Sequence, residues 1–333
     1  MSDSRAFLAI VGPTAAGKSE LAVEVALRLE GEVVSLDSRQ VYRRMDIGTA
    51  KLTPAERRGV PHHGLDLIDP DQAYSAGRFA RDARRWICEI RERGRVPVLV
   101  GGTGFFLRAL TAPIFREPPL DPARRRALRR WLGARPRAEL ERWTRALDPE
   151  RAALAAAGGP QRMLRALEVA LLSGRPLTWW HRHAPSENEP LAGVVALVEL
   201  PRAELDRRID ARVDAMLGAG LEEEVRGLLA AGHAPDDPEL TAVGYREMVA
   251  RLAGVLDRDE AAARIRRATR AYARRQATWF RNQLSGEVVR LDGLAPLEER
   301  VERVVEAWRR AVHAAGSEWA DPTGPAKGRG ARA

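Results

Sequence analysis

The stretch Gly12-Pro13-Thr14-Ala15-Ala16-Gly17-Lys18-Ser19 limits what this chain can fold into more than any other. It follows an apolar run, Ala6 to Val11, and precedes Glu20 to Leu27, where apolar residues recur at helical spacing. Strand, glycine-rich turn and helix N-terminus in that order give the pattern G-x-x-x-x-G-K-[ST] its structural meaning. Two glycines let the backbone wrap closely, so that its N–H groups point inward and cradle phosphate oxygens. The helix dipole adds partial positive charge, Lys18 adds a full one, and the Ser19 hydroxyl can hold Mg²⁺. The stretch predicts that phosphates bind here. It leaves open whose phosphates they are.

Composition narrows the partner. The 333 residues suffice for one large domain or two, and 45% apolar with 30% charged residues describes an ordinary globular protein. The net charge of +9 points to a polyanion, nucleic acid before membrane surface. Only three basic residues are lysines (Lys18, Lys51 and Lys327), so most of the many arginines carry no individual message. A lysine kept in that background marks a site that wants a compact point charge; for Lys51, chance retention is an equal alternative. The single cysteine, Cys88, excludes an intramolecular disulfide framework and fits a reducing compartment. Its amphipathic-helix context predicts a buried, inert thiol rather than a nucleophile. No stretch is long and apolar enough to span a membrane, and the first apolar run is too short for a signal segment, so the cytoplasm is the expected location.

Further along, Glu32 to Leu36 reads as a buried strand ending at Asp37. At the carboxyl end of a second parallel strand, Asp37 lies near the phosphate loop. There it can serve as general base, metal ligand or helix N-cap, and the cap is the commonest of these for Asp. His62 and His63 fall in a short strand; strand neighbours point apart and no Cys or Glu completes a set, so zinc is not favoured. Tyr74 to Gly94 reads as a helix capped by Ser75. Arg95 to Val100 reads as a third strand, leading into Gly101-Gly102-Thr103-Gly104 and another helix, with Thr103 facing the cleft of the first loop.

From Pro118 to His183 no strand pattern occurs, and three or so amphipathic helices are expected. Asp121-Pro122 caps the first, whose Arg124, Arg125, Arg126, Arg129 and Arg130 read as a solvated face. Gly158-Gly159-Pro160 breaks the block and Gln161 restarts it. A strand returns at Gly193 to Leu200, followed by a helix from Leu205 to Leu217 with Arg208 and Arg212 on one face. Thr241 to Arg246 is a loop-to-helix junction. Ala261 to Asn282 is a basic helix with Tyr272, Gln276, Thr278 and Trp279 among its arginines; it can track a nucleic-acid backbone or be amphipathic with a solvated face. Beyond Ala314 the Gly, Pro and Ala-rich end reads as disordered.

Six segments now stand in order: GPTAAGKS, DSRQVYRRMDIGTAK, LVGGTGFFLRAL, QRMLRALEV, AVGYRE and ARRQATWFRNQ. Together they resemble the bacterial tRNA dimethylallyltransferases over about residues 6–285. That family prenylates N6 of the adenosine directly 3′ of the anticodon in tRNAs reading codons that start with U. The resemblance implies an α/β fold with a P-loop NTPase-like parallel sheet flanked by helices and an inserted all-helical subdomain. It implies that Gly12 to Ser19, with Mg²⁺ on Ser19, hold the diphosphate of dimethylallyl diphosphate as a leaving group. Asp37 is then the general base on a flipped-out adenine, Thr103 lies near that base, and Arg212 joins Lys18 on the diphosphate. The resemblance does not fix Arg208.

RNA contacts are implied for Asp37, Ser38, Arg39, Gln40 and Thr103, and for Arg125, Gln161, Arg162, Met163, Leu164 and Arg165. They are also implied for Thr241, Ala242, Val243, Gly244, Tyr245 and Arg246, and for Arg274, Arg275, Gln276, Thr278, Trp279 and Arg281. Where that family often has Lys, as at Arg274, arginine keeps a phosphate contact with altered geometry. The expected organisation is a core of 1–117 and 186–314, a helical insertion at 118–185 for the tRNA anticodon stem-loop, and a tail at 315–333. A monomer is expected. Three rivals stand beside this reading. A P-loop small-molecule kinase leaves the helical block and the basic helix without a role. Prenylation of a free adenine nucleotide changes only the acceptor, and a non-enzymatic RNA-binding module leaves an intact phosphate loop idle.

Overall fold

Apolar runs too short for helices become strands, the four central ones buried almost throughout and the two edge ones only partly so. The computed structural model describes residues 6–187, 189–237, 239–284 and 286–314, so the expected tail at 315–333 lies outside the described residues. Its strands are β1 Phe7–Val11, β2 Glu32–Ser35, β3 His62–His63, β4 Pro97–Gly101, β5 Gly193–Glu199 and β6 Val288–Asp292. The helices before β5 are α1 Lys18–Arg28, α2 Pro54–Arg57, α3 Ala76–Glu92, α4 Gly104–Thr111, α5 Pro122–Gly133, α6 Arg137–Leu147, α7 Pro149–Ala157, α8 Pro160–Ser173 and α9 Leu177–His183. Those after it are α10 Arg202–Gly218, α11 Leu221–Ala230, α12 Tyr245–Leu252, α13 Arg258–Gln283 and α14 Leu297–Ala314.

The described residues of Met1–Thr111 and Leu191–Ala333 form one compact unit, and those of Ala112–Pro190 another. In the first, all strands pair in parallel in the order β3-β2-β4-β1-β5-β6. Ile10 stands between Val100 and Ala196. Every residue of β1 is buried, with α1 and α14 covering Leu8 and Ile10 through Leu21, Val25, Val301, Val304 and Trp308. Covering one such side chain stabilises the fold by roughly 1.5–3 kcal/mol. The parallel order brings the carboxyl ends of β2, β4, β1 and β5 side by side, and the site is built there.

A second apolar cluster joins α10, α11, α12 and α13 to the segment after β2, through Val41, Tyr42 and Met45. That segment has no helix before α2, so polar anchors hold it. The Gln40 amide accepts from Ser35 Oγ at 2.8 Å and donates to Thr49 O and Ala50 O. Glu224 of α11 accepts the backbone N–H groups of Asp46, Ile47 and Gly48 at 2.7–3.1 Å, and the Tyr245 hydroxyl at 2.6 Å. Lys51, its side chain only 3% exposed, donates to Tyr42 O at 2.6 Å, Asp46 Oδ1 at 2.7 Å and Asp66 Oδ1. Three oxygens around one ammonium use all three of its protons, which a planar, larger guanidinium cannot reproduce. Lys51→Arg is therefore expected to destabilise the fold by about 1–3 kcal/mol, read as a lower urea midpoint at unchanged slope.

Among its described residues the helical unit has five helices rather than three or so, because a proline sits at the start of each: Pro122, Pro149 and Pro160 in first turns, Pro136 and Pro176 at caps. Asp121 caps α5 by accepting from Arg124 N at 2.7 Å. Its apolar core includes Leu132, Leu140, Met163, Leu164 and Leu167. Met163 and Leu164 are 0% and 7% exposed, so their side chains face this core and not an RNA surface. Nor is the arginine run of α5 wholly solvated: Arg125 and Arg129 pair with the buried Glu168, as does Arg165.

Cys88 is exposed, contrary to the buried thiol read from the sequence. It lies off the stripe of Phe79, Ala80, Ala83, Trp86, Ile87 and Ile90 that α3 buries. Its hydrogen bond to the Glu92 carboxylate pushes the thiol pKa up, which disfavours the reactive thiolate.

Candidate active site

The phosphate loop runs from the end of β1 into α1. Gly12 has φ 151°, and a Cβ there would meet Val198 O at 2.6 Å, so only glycine fits. Gly17, at φ 79°, caps α1. Lys18 folds back to donate to Pro13 O at 2.6 Å. Burial lowers its pKa to about 7, helped by the Arg212 charge and opposed by Asp37. Burial likewise lowers the pKa of Arg212, against the pull of Asp37. Cations crowded until their charged forms are disfavoured make a site ready for an anion.

Asp37 follows β2. Its Oδ1 accepts from Arg39 N at 2.8 Å in an Asx turn, and no helix begins there, so the N-cap role is excluded. Ser38 N donates to Thr103 Oγ1 at 3.0 Å, which ties the β2 and β4 loops together. The Tyr272 hydroxyl of α13 stands near Thr103 and Asp37, and burial, with the Asp37 charge, pushes its pKa up to about 12. Gln276 accepts from Thr14 N and donates to Gly102 O, both at 2.9 Å. It is 7% exposed; its amide clamps the phosphate loop to the β4 turn, where the resemblance implied an RNA contact.

A cavity of about 370 Å³ opens beside the loop. Its polar wall includes Thr14, Asp37, Ser38, Arg39, Arg212 and Arg275, and its rim Thr241 to Arg246. Val213, Met216, Ile265 and the Tyr272 ring supply apolar surface. Arg39 also pairs with Glu239. Gln40 does not line this cavity. On α13, Arg266 and Arg270 pair with Asp214 and Asp210 of α10, whereas Arg274, Arg275, Thr278 and Arg281 are exposed. Trp279 packs near the exposed Phe105, ring centroids 6.0 Å apart. In the helical unit, Gln161 and Arg162 are exposed, and Gln161 accepts from Arg129 at 3.0 Å. Glu224 is one of three consecutive glutamates and carries no mark in the sequence, and the spacing of Tyr272 along α13 gives no sign of its place in the site.

The donor set bears on Mg²⁺. No group of three His, Cys, Asp or Glu able to hold a metal occurs among the described residues. The half-buried Ser19 hydroxyl at the start of α1 fits an ion that takes one protein ligand and the rest from substrate phosphates and water, as Mg²⁺ does.

A phosphate cradle, a carboxylate and a hydroxyl from three adjacent strand ends, with a cavity alongside, define a protein of the P-loop α/β class. Within it, the chain belongs to the IPP transferase family, whose model matches residues 40–283; the isopentenyl transferase model matches residues 5–67. It is 46% identical over 311 residues to a tRNA dimethylallyltransferase of Thermomicrobium roseum, covering 91% of this chain and 92% of that one. With the tRNA dimethylallyltransferase of Syntrophobacter fumaroxidans it shares 46% over 273 residues, 82% and 80% of the two chains. The fold is similar to the crystal structure of a tRNA isopentenylpyrophosphate transferase from Bacillus halodurans, with TM-score 0.68, 35% identity and coverage of 93% and 97%. It is also similar to a eukaryotic dimethylallyltransferase acting on tRNA, with TM-score 0.71, 26% identity and coverage of 86% and 73%. No described helix is long and apolar enough to cross a membrane.

Proposed function

We propose that this chain is a prenyltransferase that moves the dimethylallyl group of dimethylallyl diphosphate to N6 of the tRNA adenosine directly 3′ of the anticodon. The observation that carries the reading is one cavity holding both Asp37 and Arg212 beside a phosphate loop. A kinase site needs only to move a phosphoryl group from such a loop. Here a carboxylate and an apolar wall of Val213, Met216 and Ile265 stand next to it, which suits an allyl group and a base.

The N6 lone pair attacks the allylic carbon, the carbon–oxygen bond to diphosphate breaks, and its electron pair leaves on the diphosphate. The N6 proton passes to the Asp37 carboxylate. Lys18, Arg212 and the loop N–H groups hold the charge that develops on the departing oxygens. Mg²⁺, bound through Ser19 and the phosphates, would supply further neutralisation of that charge. Thr103 and Ser38 fix the loop that carries Asp37, and Gln276 fixes the loop that carries Lys18. An adenine stacked in an anticodon loop has to leave the stack to enter the cavity, and the rim of Thr241 to Arg246 is where it would pass. The exposed Arg274, Arg275 and Arg281 suit the RNA backbone, and the helical unit, with Arg162 outward, suits the anticodon stem-loop.

The test offers protein and Mg²⁺ with allyl-labelled dimethylallyl diphosphate and either tRNA or AMP, without ATP. Label is expected in tRNA. Transfer to AMP alone would replace the acceptor, and no transfer to either would remove the prenyltransferase reading.

A further inference from the structure

A second group of cations reaches the start of α1. Arg208 of α10 and Arg300 of α14 both approach Gly17: a Cβ placed there would meet Arg300 Nη1 at 3.7 Å and Arg208 Nη1 at 3.8 Å. Each guanidinium is gripped through its other nitrogens. Arg300 Nε donates to Ala295 O at 3.1 Å. Arg208 Nε donates to Glu204 at 2.7 Å, and its Nη2 to Gly293 O at 3.4 Å. Arg300 is only 8% exposed, and its Nη1 is buried with no hydrogen-bond partner. A buried charged donor without an acceptor is rare in folded proteins and marks a place for an acceptor from outside. Two guanidinium groups at Gly17, where the first N–H groups of α1 begin, favour an anion as that acceptor.

We propose that Arg300 and Arg208 form a second phosphate subsite, which takes the phosphoryl group farther from the transferred carbon and makes the site select diphosphates over monophosphates. This rests on the reading that the loop holds an allylic diphosphate. Neither arginine lines the cavity that holds Asp37 and Arg212. The carbon under attack must lie in that cavity, so the nearer phosphate belongs to Lys18 and Arg212. The farther one extends along the loop towards Gly17, where the unpaired Arg300 Nη1 and the Arg208 guanidinium stand. Arg300 comes from the last described helix, so the C-terminal end of the fold contributes to a loop near its beginning.

Calorimetric titration of the full chain with inorganic pyrophosphate and with inorganic phosphate tests this. Wild type is expected to prefer pyrophosphate. Arg300→Met is expected to weaken pyrophosphate about tenfold or more while phosphate stays within about twofold, because only the diphosphate reaches the second subsite. Arg300→Lys recovers part of the loss. Because Arg300 is buried, Arg208→Met provides a second variant with the same expected contraction of selectivity. Unchanged selectivity in the variants that fold, or equal weakening of both ligands, overturns the proposal. A wild type that binds no pyrophosphate overturns the reading of the phosphate loop itself.

Discussion

Asp37→Asn is expected to lower kcat by about 10²–10⁴-fold while leaving tRNA affinity and melting temperature close to wild type. The asparagine is chosen because its side-chain oxygen can still accept from Arg39 N, as Asp37 Oδ1 does at 2.8 Å. The Asx turn then survives, and so does the contact of Ser38 N with Thr103 Oγ1. What disappears is the capacity to take a proton. The exocyclic amine of adenine is barely basic, and its nitrogen becomes strongly acidic as the new bond to carbon forms. Loss of a positioned base therefore falls on kcat and not on binding. If Asp37→Asn turns over within about threefold of wild type, the carboxylate serves the turn alone and the base lies elsewhere. Asp37→Ala removes both functions, so a fall in stability confined to Ala would separate the turn from the chemistry.

Local features of the site were legible in the sequence, and long-range ones were not. Gly12 to Ser19 is a local device, since strand, turn and helix are consecutive, and its close approach to Val198 explains the glycine. Thr103 was legible for the same reason, as the end of a second strand–turn–helix unit. The neighbours of these residues are a different matter. Gln276 meets Thr14 across 262 residues; its spacing from Ala273 and Phe280 already put it on the buried stripe of α13, with Arg274 and Arg275 off it, but could not show which loops its amide would join. Lys51 stood out by composition, but its three oxygen partners come from Tyr42, Asp46 and Asp66, which only the fold brings together. Arg300 had no signal, because one arginine among so many cannot announce that it is buried. Cys88 shows the opposite failure. The phase of Trp86, Ile87 and Ile90 already placed it off the apolar stripe, so helix periodicity held the answer.

Lys18→Met is expected to lower kcat/KM by about 10²–10³-fold, the usual loss when one donor to a developing oxyanion is removed. Its sharper consequence concerns pH. The Lys18 pKa is about 7 in the folded chain and 10.5 when exposed to water. Between those values the unfolded chain binds the extra proton, so this residue makes stability rise with pH across the window and contributes nothing to the slope below 7. An anion on the loop reverses the imbalance, because it stabilises the ammonium against both burial and Arg212. Above pH 7, binding then takes up a proton. Pyrophosphate affinity should fall relative to Lys18→Met as pH rises, by up to about tenfold per unit until the bound-state pKa is passed. The variant is the proper reference, because the ligand ionises identically in both titrations. A ratio of affinities that stays constant from pH 6.5 to 9 would mean that Lys18 is already an ordinary ammonium in the free protein. The wild type should also gain stability relative to the variant between about pH 7 and 10, in ligand-free melts over the same range.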